Sequence, residues 1–136
     1  MSLTLLFAFI FSVHTMGAYA DSPDLLTNLK IKGEECIKEG NVNKELVDAL
    51  YMNGVFAEDK SLKCFLHCLH LKLKFINDNG VVNIDEIKSQ MLPLADDVAK
   101  STVMIEGCAK IKESDGCETA FKMSYGRLIV FIIILL

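Results

Sequence analysis

The stretch from Cys64 to His70, CFLHCLH, gathers two thiols and two imidazoles within seven residues. Zinc takes both ligand types, and on a helix Cys64, His67 and Cys68 share a face. A four-coordinate site needs a further pair of ligands, and no CxxC or HxxxH pair occurs elsewhere in the chain. In an oxidising compartment the same thiols form disulfides instead. His67 and His70 then read as a partly exposed helix surface, with a pH-sensitive role as the functional alternative.

Other catalytic patterns are thin. There is no G-x-S-x-G elbow and no phosphate-binding glycine loop. Asp96 and Asp97 are adjacent, so on a helix they diverge; acids favouring a helix N-terminus account for them better than a catalytic pair. Cys108 is a nucleophile by type, yet a buried thiol is the ordinary account. The reading is therefore not an enzyme, with no cofactor and no metal. Fourteen basic against eighteen acidic side chains leave a net charge of −4 without a basic run, a poor match for nucleic acid.

Residues 1–20 read as a signal peptide. LTLLFAFIFSV is a compact apolar run, and Ala18 and Ala20 precede a cleavage point before Asp21. The alternative, a membrane helix, needs about 20 apolar residues. A secreted, extracellular product follows, with residues 21–126 as one domain and 127–136 as an atypical apolar tail. A membrane is not expected as a partner.

Helical periodicity recurs through the domain, and strand alternation is weak. LLTNLKIKGEECIKEG stops at Gly40, and NKELVDALYMNG is capped by Asn43 and ends near Gly54. Behind Asp59, a stripe of Leu62, Phe65, Leu66, Leu69, Leu73 and Ile76 predicts a third helix reaching Asn77, with Lys63, Lys72 and Lys74 opposite. NDNG is a turn. Asn83 with Glu86, and Asp115 with Glu118, resemble capping boxes. Pro93 ends the fourth helix or starts the next. Asp96 and Asp97 open the fifth helix, and Lys110 and Lys112 lie towards its end. The fold class is all-α: a compact, disulfide-stapled bundle of about six short helices around an apolar cavity. Short helices bury little, so the cysteines decide whether the array has one structure.

The five cysteines, at 36, 64, 68, 108 and 117, are separated by 27, 3, 39 and 8 residues. That spacing, in a helical chain behind a signal peptide, resembles the six-cysteine insect odorant-binding proteins over residues 22–126. Spacing alone leaves the connectivity open. The resemblance implies Cys36–Cys68 and Cys64–Cys117. It also implies a sixth cysteine at position 126, where this chain has Gly126, so Cys108 has no cysteine at the place where the family would pair it. The departure coincides with the start of GRLIVFIIILL. The two are read as one event, a retained intron or a wrong gene model. A lipid-facing anchor and a segment covering the domain's own pocket are the alternatives.

Met52, Phe56, Leu66, Leu69, Leu73, Met91, Leu92, Val98, Met104, Ile105, Phe121 and Tyr125 exceed the apolar groups that six short helices need. Packed core is the plain account of each; lining a small-molecule cavity is the functional one. Leu66 is favoured most, because the resembled family uses that helix as a pocket wall. Tyr51 or Tyr125 supplies a polar contact for an alcohol, aldehyde or ester. The resemblance implies a carrier of small hydrophobic odorants or pheromones through sensillum lymph or another body fluid. An olfactory receptor is a further partner under that reading, and the protein is a monomer or weak dimer. Two alternatives stay open: a secreted helical interaction protein without a cavity, and a mis-spliced, non-functional carrier variant.

Overall fold

A computed structural model of the chain describes residues 24–125. The expected signal peptide, Gly126 and the apolar tail lie outside the described residues. Six α-helices follow one another: α1 (Leu25–Gly40), α2 (Lys44–Asn53), α3 (Lys60–Lys72), α4 (Ile84–Met91), α5 (Val98–Cys108) and α6 (Gly116–Met123). A 3-10 turn, Leu92–Leu94, joins α4 to the segment before α5. It holds Pro93 in its first turn, where a missing N–H costs nothing. Among the described residues no strand forms, only an isolated bridge between Ile76 and Val82. None of the described helices is long and apolar enough to cross a membrane.

Each helix starts where a short polar side chain satisfies an otherwise unpaired N–H. Asp24 accepts from Thr27 N at 2.7 Å, Asn43 from Glu45 N at 2.9 Å, and Asp59 from Leu62 N at 3.0 Å. Asn83, Asp97 and Asp115 do the same for Glu86, Lys100 and Glu118. Helix α2 ends on Gly54 at φ 64°, whose N–H returns to Leu50 O while Val55 N reaches Ala49 O. This crossed pair closes the helix and needs the left-handed backbone that glycine supplies most readily.

The third helix is shorter than its apolar stripe predicts. It stops at Lys72, and Lys74 takes φ 62°. At 100° per residue, a continued helix would carry Phe75 to the side opposite Leu62 and Leu66. Breaking the helix turns Phe75 inward, where it is 2% exposed, while Leu73 and Ile76 stay buried too. The chain then reverses over Asn77–Gly80, with Asn77 Oδ1 accepting from Asn79 N and Val81 N. Helix α5 ends at Cys108, so Lys110 and Lys112 lie beyond it and do not support its C-terminal dipole.

Helix α3 is the centre of the bundle. It packs against α1 on one side and α6 on the other, while α4 packs against α5 and the 3-10 turn. Cys36–Cys68 ties α1 to α3, and Cys64–Cys117 ties α3 to α6, with Cα separations of 5.8 and 4.4 Å. These are the pairs the resemblance implies. Each staple has a nearby ion-pair hub. Lys72 reaches Glu35 at 3.0 Å and Glu39 at 2.9 Å on α1. Lys63 reaches Glu118 on α6 at 2.9 Å and Glu58 at 2.7 Å. The lysine face of α3 is thus an interhelical face rather than a solvated one. One apolar cluster runs from Leu25 on α1 to Met123 on α6 and includes Leu50, Leu62, Phe65, Ile87 and Cys108. Cys108 is fully buried and lies outside both disulfides, its Sγ 3.6 Å from Met104 O.

Candidate ligand-binding site

The α3 stripe forms the floor of the interior. Leu66, Leu69 and Leu73 are 1%, 3% and 4% exposed, and Met91 and Ile105 join them from α4 and α5. Phe121 on α6 is buried, and Leu92 and Phe56 are half-buried against the same cluster. The fold therefore brings eight of the twelve candidate residues to one apolar interior. Met104 is half-buried at the edge of α5. Met52 and Val98 are placed elsewhere: they are 81% and 52% exposed. Each lies on the outward side of a helix that buries another face, Val47 and Leu50 in α2 and Ser101, Ile105 and Cys108 in α5.

Phe56, Phe121 and Tyr125 form an aromatic group. Phe56 meets Phe121 edge-on at 5.8 Å and Tyr125 edge-on at 5.3 Å, and Phe121 stacks on Tyr125 at 6.2 Å. Lys63 Nζ sits 4.8 Å above the Phe121 ring, a cation–π contact beside its two carboxylates. Tyr125 is 64% exposed, so this group spans from the interior to solvent.

Two polar side chains reach into the interior: Tyr51, which the sequence nominated as a polar contact, and His70, which it did not place there. His70, expected at a partly exposed surface, is buried at 5% exposure. The signal was available in its spacing: it follows Leu66 by four and precedes Leu73 by three, at the flank of the stripe. Its Nε2 lies 3.2 Å from Ser124 Oγ, itself fully buried just past α6. Its Nδ1 has no partner among the described residues. Burial, with a smaller contribution from His67, pushes its pKa down to about 4. Tyr51 packs edge-on to Phe65 at 6.3 Å, and its hydroxyl is buried without a partner among the described residues. Burial pushes its pKa up to about 12.

A serine hydroxyl beside an imidazole is where acyl-transfer chemistry begins. Here burial makes the imidazole a feeble base, no carboxylate among the described residues meets its other nitrogen, and Ser124 is closed to solvent. The pair is suited to binding rather than bond-making. Cys64 and Cys68 hold their sulfurs in disulfides, which removes the thiolates a zinc site would use. Two open clefts occur elsewhere. One, of about 480 Å³, lies between Leu71 and the 76–83 loop; the other lies among Lys32, Lys72, Lys74 and Gln90. The first mixes Leu71, Ile76, Val81 and Val82 with polar side chains, the second is lined mostly by polar ones, and of the twelve candidates only Leu73 touches either.

With this geometry in view, comparison with known proteins is decisive for the family. The model of the PBP/GOBP family matches residues 18–125, the whole helical array. The chain belongs to the PBP/GOBP family. Within it, Odorant-binding protein 10 of Aedes aegypti is 30% identical over 125 residues, spanning 89% of this chain and 83% of that protein. General odorant-binding protein 57c of Drosophila melanogaster is 32% identical over 65% of this chain and 62% of its own length. General odorant-binding protein 69a of the same fly is 21% identical over 74% and 67%. Family membership agrees with the all-α array and with the two disulfides on α3.

Proposed function

We propose that this member of the PBP/GOBP family is a secreted carrier. It binds small hydrophobic molecules of the odorant or pheromone kind in the interior bounded by α3, α4, α5 and α6, and performs no chemistry. The observation that carries the reading is the buried α3 wall of Leu66, Leu69 and Leu73, stapled on both sides, in a family whose named relatives bind odorants. Phe121, Met91, Ile105, Leu92 and Phe56 complete the apolar surround, and Met104 lies at its rim.

The energetics suit reversible transport. A ligand removing ~300 Å² of apolar surface from water gains roughly 7 kcal/mol, before ordering costs. Taken before those costs it is the scale of micromolar binding, strong enough to load and weak enough to release. The test is displacement of the apolar dye N-phenylnaphthylamine from the oxidised, secreted protein. Uptake with micromolar affinity, reversed by medium-chain alcohols or esters, is expected. Absence of uptake by protein with a helical spectrum and intact disulfides overturns the reading.

A further inference from the structure

The interior contains polar atoms that the fold leaves unmatched, and they are not equivalent. The Tyr51 hydroxyl lies over Gly33, so close that a Cβ at Gly33 would sit 3.0 Å from it. Backbone packing explains its place and leaves little room for a ligand atom. Gln90 Oε1 belongs to an amide already donating to Leu73 O and Glu86 at the edge of a polar surface cleft. His70 differs from both. It stands on the apolar face of α3 between Leu66 and Leu73, and nothing among the described residues meets its Nδ1.

His70 Nε2 and Ser124 Oγ lie 3.2 Å apart, and which of them donates depends on the tautomer of the ring. When the serine hydroxyl donates to Nε2, the one hydrogen of the neutral imidazole is on Nδ1. Nδ1–H is then a buried donor without an acceptor among the described residues, a costly arrangement that an incoming oxygen relieves.

We infer that His70, its tautomer fixed by Ser124, donates Nδ1–H to an oxygen acceptor of the carried molecule. The site is thereby selective for ketones, aldehydes and esters over hydrocarbons of equal size. The inference rests on the carrier reading and deepens it. The apolar stem of the ligand lies along Leu66 and Leu73, and its oxygen meets the imidazole. Ser124 is a positioning residue: it touches His70 rather than the ligand. A hydrocarbon would fill the same apolar surround and leave the donor unmatched. Discrimination between the two ligand types therefore belongs to this one nitrogen.

The experiment compares undecanone with undecane as competitors of the dye, on the full oxidised protein and its His70→Phe variant. The wild type is expected to prefer the ketone by about tenfold in Kd, which is 1.4 kcal/mol. His70→Phe is expected to lose that preference, read as the ratio of the two affinities within the variant. Equal binding of the two competitors by a wild type that takes up the dye overturns this inference and leaves the carrier reading standing. No dye uptake by folded wild type overturns both. If His70→Phe fails to fold, nitrogen NMR of the wild type decides. A protonated Nδ1 that shifts on adding undecanone, and does not shift with undecane, supports the assignment. A protonated Nε2, or an Nδ1 indifferent to the ketone, overturns it.

Discussion

An imidazole that is buried and neutral ties stability to pH. His70 titrates at about 4 in the folded chain, because burial disfavours its charged form, and near 6.5 when exposed. Above the higher value both states are neutral and stability is at its full level. As pH falls, the unfolded state takes up the proton first, so stability drops from 6.5 downward and the loss is complete near 4. The span amounts to something on the order of 3 kcal/mol. Denaturant midpoints measured from pH 7 to pH 4 are expected to fall more steeply for the wild type than for His70→Gln. Parallel curves would contradict the burial of a neutral His70. Spacing along α3 shows that His70 flanks the apolar stripe, but not that it turns inward. That depends on Ser124, fifty-four residues away in sequence, and no local pattern carries such a contact. Met52 and Val98 illustrate the converse: apolar type nominated them, and the faces their helices bury excluded them from the interior.

At the scale of elements, the helix starts were the most legible feature. Asn43, Asp59, Asn83 and Asp115, all named from the sequence, act through hydrogen bonds two or three residues away, so a short window of sequence contains the whole interaction; Asp24 and Asp97 cap in the same way. The end of α3 was not legible, because it is decided by the burial of Phe75 in the shared apolar cluster. Contacts between helices are similarly hidden. At the start of α6, Gly116 faces the His67 ring so closely that a Cβ would fall 2.4 Å from Nε2. Alanine in place of glycine ordinarily stabilises a helix by up to about 1 kcal/mol. Here Gly116→Ala is expected to lower the melting temperature, because the ring must leave the α3–α6 contact beside Cys64–Cys117. In a His67→Ala background the same change is expected to raise it. A melting temperature raised in both backgrounds would show that His67 moves aside freely.

At the scale of the whole molecule, two helices are stapled to a third. α1 and α6 are each bound to α3 by a disulfide, and α4 and α5 pack on each other and add Ile87, Met91 and Ile105 to the shared apolar cluster. Cysteine spacing was informative at this scale because it resembles a family pattern; the pairing itself cannot be derived from five positions. Closing loops with sequence separations of 32 and 53 residues stabilises by roughly 4 kcal/mol each in the chain-entropy account. Cys36→Ala/Cys68→Ala and Cys64→Ala/Cys117→Ala are each expected to lose about 2–5 kcal/mol in denaturant unfolding. A loss below 1 kcal/mol for either would mean that helix packing alone fixes its α3 contact. The apolar surround was readable as a set of residues and unreadable as a place, since its members come from five segments of the chain.

The central claim is that this interior carries apolar molecules through water, and equilibrium partition tests it without a reporter dye. A sparingly soluble radiolabelled decanol is equilibrated across a dialysis membrane against the oxidised protein. The account predicts a saturable excess on the protein side, approaching one molecule per chain and abolished by reduction of the disulfides. An excess no greater than that of an unrelated helical protein at the same concentration, or one that rises without saturation, would contradict it.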